Sequence, residues 1–248
     1  MNTTSPLAAR CILLTVSMLL LNHSMSAADD KKPSVKQDGG KVADKDGWKP
    51  LFNGKDLTGW KVTNFGGEGE VVLEDGNVVI RQGADLSGIT STAKDLPKTN
   101  YEVEFEAQRA LGNDFFIGLT FPVQDSSASL ICGGWGGGVC GISSLDGLDA
   151  SENDTTTFRA FTNGEWHKVR VKVTPEKIEA WLDENNIVDV EIADRKVDVR
   201  FEVELSKPMG FSTYQSTAFI RNARMRTLPT EPAADPGAKK EGAANSTK

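Results

Sequence analysis

Residues 165–183 read EWHKVRVKVTPEKIEAWLD. Val169, Val171 and Val173 alternate with Lys168, Arg170 and Lys172. Successive strand side chains point to opposite faces, so this run is a strand with one apolar and one basic face. Thr174-Pro175-Glu176-Lys177 breaks it, because proline fixes its own φ and has no N–H for a ladder. A second strand puts Ile178, Ala180 and Leu182 on one side and Glu179, Trp181 and Asp183 on the other. Asp183–Asn186 turns the chain again, and 187–192 (IVDVEI) returns. This is an antiparallel meander buried on one face, and its apolar face needs a second layer.

Working outward, 100–109 (NYEVEFEAQR) is the cleanest strand. Tyr101, Val103, Phe105 and Ala107 face one way; Glu102, Glu104, Glu106 and Gln108 face the other. The acidic face matches the basic face of Lys168, Arg170 and Lys172, which predicts that the two strands are neighbours, each opposite pair contributing roughly 0.2–1 kcal/mol. Residues 114–123 (DFFIGLTFPV) read as a central strand buried on both faces, and 129–135 and 138–144 as two more joined at Gly136-Gly137. An acidic loop (145–155, LDGLDASENDT) and a short strand (156–161) follow, and the last strand region, 209–228, breaks near Ser216-Thr217. Asp75-Gly76 marks a hairpin between 70–74 and 77–82. Residues 83–96 read as polar loop with a short strand at best. No segment holds a 3.6-residue period with caps, so little helix is expected. The expected fold is all-β: a sandwich or jelly roll of antiparallel sheets.

The ends read differently. Residues 1–28 have the parts of an export signal: Arg10, an apolar run 11–21, and small residues Ser24, Ser26, Ala27 and Ala28. The run is shorter than the ~20 residues that span a bilayer, so no transmembrane segment is expected after cleavage. Residues 29–46 and 230–248 lack large apolar side chains and read as a linker and a tail. That leaves 47–229 as one β-sandwich domain, in a periplasmic or extracellular protein. The net charge is −7, with no basic cluster in the folded part, which argues against a nucleic-acid partner. Cys132 and Cys140 bracket GGWGGGV, and an even pair in an exported chain is expected to form a disulfide.

The opening LFNGKDLTGW (51–60) resembles the start of the 3-keto-disaccharide hydrolase family. NYEVEFEAQRALGNDFFIGL (100–119), NGEWHKVRVKVTPEKIEAWLDENNIV (163–188) and IRNARMRTL (220–228) are similar to later units of it, so the likeness covers 48–228. It implies a concanavalin A-like jelly roll and a hydrolase or lyase acting on 3-keto glycosides. The family's usual Gln and His before the closing strand are replaced by Ser212 and Tyr214, and its central acidic and Gln positions by the Gly-rich SLICGGWGGGVCGISS (129–144).

A 3-keto sugar has an acidified C2–H, so its elimination needs a base, a proton donor for the leaving oxygen, and often a cation on the ketone. The candidate catalytic residues are Asp114, Asp146, Asp149 and His167, the last the only histidine after the signal. Asp146, Asp149, Glu152 and Asp154 offer the hard oxygens that suit Ca²⁺. Trp135 among glycines is a candidate sugar platform, as are Tyr214 and Trp181, because aromatic faces attract sugar C–H faces. Asn153-Asp154-Thr155 fits a glycosylation sequon. A pocket with two or more carboxylates would favour chemistry on a carbohydrate. A shallow aromatic groove would favour a non-catalytic carbohydrate-binding module, and a flat polar face an adhesion domain.

Overall fold

The computed structural model describes residues 46–229. The expected export signal, linker residues 29–45 and the tail from 230 lie outside the described residues. Alternating side chains build fifteen strands. They are β1 (Lys49–Pro50), β2 (Trp60–Val62), β3 (Val71–Glu74), β4 (Asn77–Ile80), β5 (Leu86–Ser91), β6 (Tyr101–Gly112), β7 (Ile117–Val123), β8 (Ser126–Gly134), β9 (Val139–Ser143), β10 (Thr157–Phe158), β11 (Trp166–Val173), β12 (Lys177–Leu182), β13 (Asn185–Glu191), β14 (Gly210–Tyr214) and β15 (Ser216–Thr227). The only helix among the described residues is a 3₁₀ helix, Phe201–Ser206. Among those residues no helix is long and apolar enough to cross a membrane.

The strands form two antiparallel sheets. The first runs β13-β12-β11-β6-β15-β4-β3, with β1 also on β15; the second runs β10-β9-β8-β7-β14-β5-β2. Their inward faces share one core, in which Val103 and Phe105 of β6 and Val169 and Val171 of β11 meet Leu119, Leu130 and Phe211 of the second sheet. The chain crosses from the second sheet to the first at Gln215, in the left-handed region at φ 43°. The Asp75-Gly76 hairpin is present, both residues at positive φ, as a type I′ turn requires. Residues 83–96 contain more than expected: β5 is a six-residue strand inside the second sheet.

β6 and β11 are neighbours, with Lys168 opposite Glu106, Arg170 opposite Glu104 and Lys172 opposite Glu102. The ion pairs run along the diagonals, Lys168 to Glu104 at 3.3 Å and Arg170 to Glu102 at 3.0 Å. The other flank of β6 carries a second basic strand. On β15, Arg221, Arg224 and Arg226 pair with Glu106, Glu104 and Glu102. Arg170 stacks over Trp181 at 3.7 Å and Arg221 over Trp166 at 3.8 Å, contacts worth about 0.5–1 kcal/mol each when exposed.

The opening motif is a self-bonded turn. Asn53 Oδ1 accepts the amides of Lys55 and Asp56, and Asp56 accepts the amide of Thr58. Bonds from Thr58 and then Asn53 hold the Asp56 carboxyl down at about 2. Trp60 Nε1 donates to Leu51 O, and its ring packs on Phe52 and Phe211.

One expectation is overturned. Cys132 and Cys140 are both free and buried. They sit opposite each other on β8 and β9 with their side chains in the core. The neighbouring Cys140 thiol first, and burial second, push the Cys132 thiol well up. The glycines between them form a strand hairpin with a bulge rather than a flexible loop free to close a bridge.

Candidate functional site

With Ile117, Leu119, Leu130, Ile142 and Phe211 turned inward, the alternate residues of the second sheet face outward. Many of those residues are small: Gly118 and Thr120 on β7, Ser129 on β8, Gly141 and Ser143 on β9, Gly210 and Ser212 on β14, Gly88 and Thr90 on β5, alongside the larger Leu86, Ile131 and Tyr214. Of the small ones, Ser129 and Ser143 leave room for a cavity above the sheet. Gly118 shows why the small residue is needed: a Cβ there would lie 2.6 Å from Ser212 Oγ and 2.8 Å from the Phe115 ring.

A cavity of about 620 Å³ opens on this face. Ser129, Ile131 and Ser143 form part of its floor. One wall holds Asp85, Asp114, Phe115, Trp135 and Tyr214; Arg200, Phe201 and Glu202 belong to the helix segment that forms another. The two walls stand apart along β5. Asp85 precedes Leu86, whereas the helix residue Leu205 accepts from Thr90, four residues or about 13 Å further on.

Tyr214 lies opposite Leu86 in register, which brings its phenol beside Asp85. The charge of Asp85 first, then a little burial, a hydrogen bond to the same carboxylate and the charge of Asp114, raise the phenol above 10.0, so it stays protonated at neutral pH. Asp85 also accepts from Gln215 Nε2 at 3.1 Å. Asp114 is tied down differently, taking the Phe115 amide on Oδ1 at 2.7 Å and the Gly136 amide on Oδ2 at 2.9 Å. It thereby anchors the β8–β9 hairpin tip and Trp135, which is 44% exposed at positive φ. Phe115 stacks on Tyr214 with centroids 6.1 Å apart. On the facing wall, Arg200 donates to both oxygens of Glu202, at 3.1 and 2.7 Å, and to Asp149. Arg200 first, against some burial, lowers the Glu202 carboxyl. Phe201, 83% exposed, stands at the rim.

A sequence model of the 3-keto-alpha-glucoside-1,2-lyase-like domain matches residues 47–226. The chain belongs to this family. It is a carbohydrate-active, glycosyl-hydrolase-like family, and no curated protein matches the chain. Similar solved structures include a carbohydrate-binding module from Bacillus subtilis, with 14% identity over 69% of this chain and 97% of that chain and a TM-score of 0.43. Another is a glycosyl hydrolase family 16 protein from Mycobacterium smegmatis, with 13% identity over 67% of this chain and 91% of that chain and a TM-score of 0.44.

This lyase-like domain brings together three of the residues singled out from sequence, Asp114, Trp135 and Tyr214, all lining the cavity. Asp149 stands just behind it on Arg200. Asp146 and Asp154 point away to a shared partner, Arg195, at 2.8 and 2.7 Å. With these carboxylates held apart on Arg195 and Arg200, the four expected Ca²⁺ ligands, Glu152 included, do not converge. No group of three or more His, Cys, Asp or Glu placed to hold a metal occurs among the described residues. His167 lies elsewhere, at the end of β11, its Nδ1 on Asp183 Oδ2 at 2.7 Å and its ring against Phe161. Trp181 sits on the outward face of the first sheet under Arg170. Asn153 is buried and bonds to Ile142 O, Asp149 O and Thr155, so in the folded chain it organises the acidic loop rather than presenting a sequon. The sequence reading missed Asp85, Arg200 and Glu202. The available signal was the row of Gly, Ser and Thr at alternate positions of five strands, which marks a face kept clear of bulk.

Proposed function

We propose that the chain is an exported lyase that eliminates the glycosidic oxygen from 3-keto glycosides, with hydrolysis completed when water adds to the product. The observation that carries the reading is a cavity of sugar size lined by Asp85 and Tyr214, which strand register brings to the same end of the sheet. The family match and the segment 1–28, which reads as an export signal, support it.

The chemistry follows from the two groups. The ketone at C3 acidifies the C2–H. Asp85 takes that proton, the C2–H electrons form the C1=C2 bond, and the C1–O bond breaks. Tyr214 gives its proton to the departing oxygen, and the proton on Asp85 then passes across to the tyrosinate. The cycle closes with no net proton uptake, as an elimination requires. A general base and a general acid each contribute typically 10²–10⁴-fold. Asp114 holds the tip that carries Trp135, whose exposed ring is placed to pack on a sugar C–H face. The test is release of the leaving group from a chromogenic 3-keto glucoside by the purified full chain. Release above the buffer rate supports the lyase. Binding of the sugar without release would leave a carbohydrate-binding module as the function.

A further inference from the structure

We propose that the cavity selects its glycosides by charge, accepting neutral sugars and sugars with an ammonium group at C6 and rejecting their carboxylate and sulfate counterparts. The inference rests on the cavity being the glycoside site.

Anions are held in proteins by free backbone amides, by arginine forks or by lysine. Here the protein's own carboxylates and carbonyls already engage those groups. The amides of Gly66 and Gly67 donate to Glu68 Oε2 at 2.9 and 3.1 Å. The amides of Phe115 and Gly136 donate to Asp114. Among the described residues Arg200 is the one cationic residue lining the cavity, and its Nε, Nη1 and Nη2 each donate to Glu202 or Asp149. Arg109, behind Asp114, has its three nitrogens on Asn163, Phe161 O and Asp114 O.

The charges do not balance. Glu202 and Asp149 share the guanidinium of Arg200, while Asp85 and Asp114 stand on the facing wall of the same cavity. Arg109 offsets one of them, and Glu68 beside Gly66 and Gly67 restores it. An entering carboxylate would lose its water, find the Arg200 guanidinium already paired with two carboxylates, and face this excess of negative charge. A hydroxyl can donate to these carboxylates, and an ammonium group complements them. Glu202 is the residue that fixes the imbalance on the helix wall, because it shares with Asp149 an arginine that could otherwise receive an anion.

The experiment uses three methyl glycosides that differ only at C6: the 6-amino-6-deoxyglucoside, the glucoside and the glucuronide. C6 is remote from the reacting C1–C3. Binding to the full chain is read by calorimetry, and turnover is read on the 3-keto forms. The expected order is ammonium at least equal to neutral, with the glucuronide weaker by on the order of 10-fold or more. The gap shrinks in ~0.5 M salt, as screening requires, and in E202Q. A glucuronide that binds as well as the glucoside, or a gap that salt leaves unchanged in the wild-type chain, overturns charge selection. If the three ligands bind in the expected order and none is turned over, the lyase reading fails and charge selection stands. If none binds, both fall.

Discussion

Tyr214 at the end of β14 meets Asp85 at the start of β5, and strand register fixes the meeting, because Tyr214 lies opposite Leu86. A carboxylate on the residue before a strand and a phenol on the last residue of its neighbour thus come together at one end of a sheet. Both line the cavity whose floor includes Ser129, Ile131 and Ser143.

On the proposed mechanism this pair sets the kinetics. D85N should lower kcat on a 3-keto glucoside by about 10²–10⁴-fold, and Y214F by about 10²-fold. Asp85 raises the phenol above 10.0, so the alkaline fall in rate should lie above pH 10 and disappear in Y214F. An alkaline limb below pH 9 that Y214F leaves in place would show that Tyr214 is not the donor.

Acid should loosen the fold over a defined range. Against the effect of burial, Asn222 and Arg221 lower Glu106 below 4.5. Lys207 lowers Asp198 and Arg195 lowers Asp154, both below 3.8. A folded-state value below the unfolded one gives stability that is complete above the unfolded pKa and lost as pH falls through the folded one. The Tm should therefore be level above about pH 5 and fall progressively below about 4.5, with a shallower fall in E106Q. Thermal unfolding from pH 7 to 2.5 measures this. A Tm that rises on acidification would contradict the ion-pair account of β6.

The cleared floor is sensitive to single methyl groups. A Cβ on Gly88 would lie 2.3 Å from the carbonyl oxygen of Phe211, which is backbone and cannot swing aside. G88A should cost about 1–3 kcal/mol in chemical denaturation. The Cβ of G118A meets Ser212 Oγ, the Ser212 carbonyl oxygen at 2.7 Å and the Phe115 ring. It should also lower stability, and raise KM by moving Phe115 off Tyr214. Equal stability of G88A and wild type would refute the close packing of β5 on β14.

The two core thiols should be reduced and shielded. Peptide mapping after alkylation without reductant should find Cys132 and Cys140 both modified in unfolded protein and neither in folded protein. Peptides linked by a 132–140 disulfide would contradict the structure.

Most of the fold was legible in alternation. The acidic and basic faces of β6 and β11 named each other as neighbours, and Asp75-Gly76 placed a hairpin. The site was less legible, for physical reasons. Asp85 precedes a strand whose Leu86-Ser87-Gly88 start reads as loop, because close approach to the Phe211 backbone requires a glycine where a bulky residue would have revealed the strand. Arg200 and Glu202 flank the start of a 3₁₀ helix too short to show a period. The disulfide was inferred from compartment and spacing, whereas strand pairing decides where the two sulfurs point. The acidic loop looked like a cation site because Arg195 and Arg200, its partners, come some 40–50 residues later.

The most direct measurement is proton NMR of a 3-keto glucoside in D₂O with wild-type protein and with D85N. The account predicts that the wild-type chain removes the C2 proton and releases the aglycone far faster than buffer, and that D85N does neither. Loss of the C2 proton at the buffer rate with folded, sugar-binding wild-type protein would contradict it.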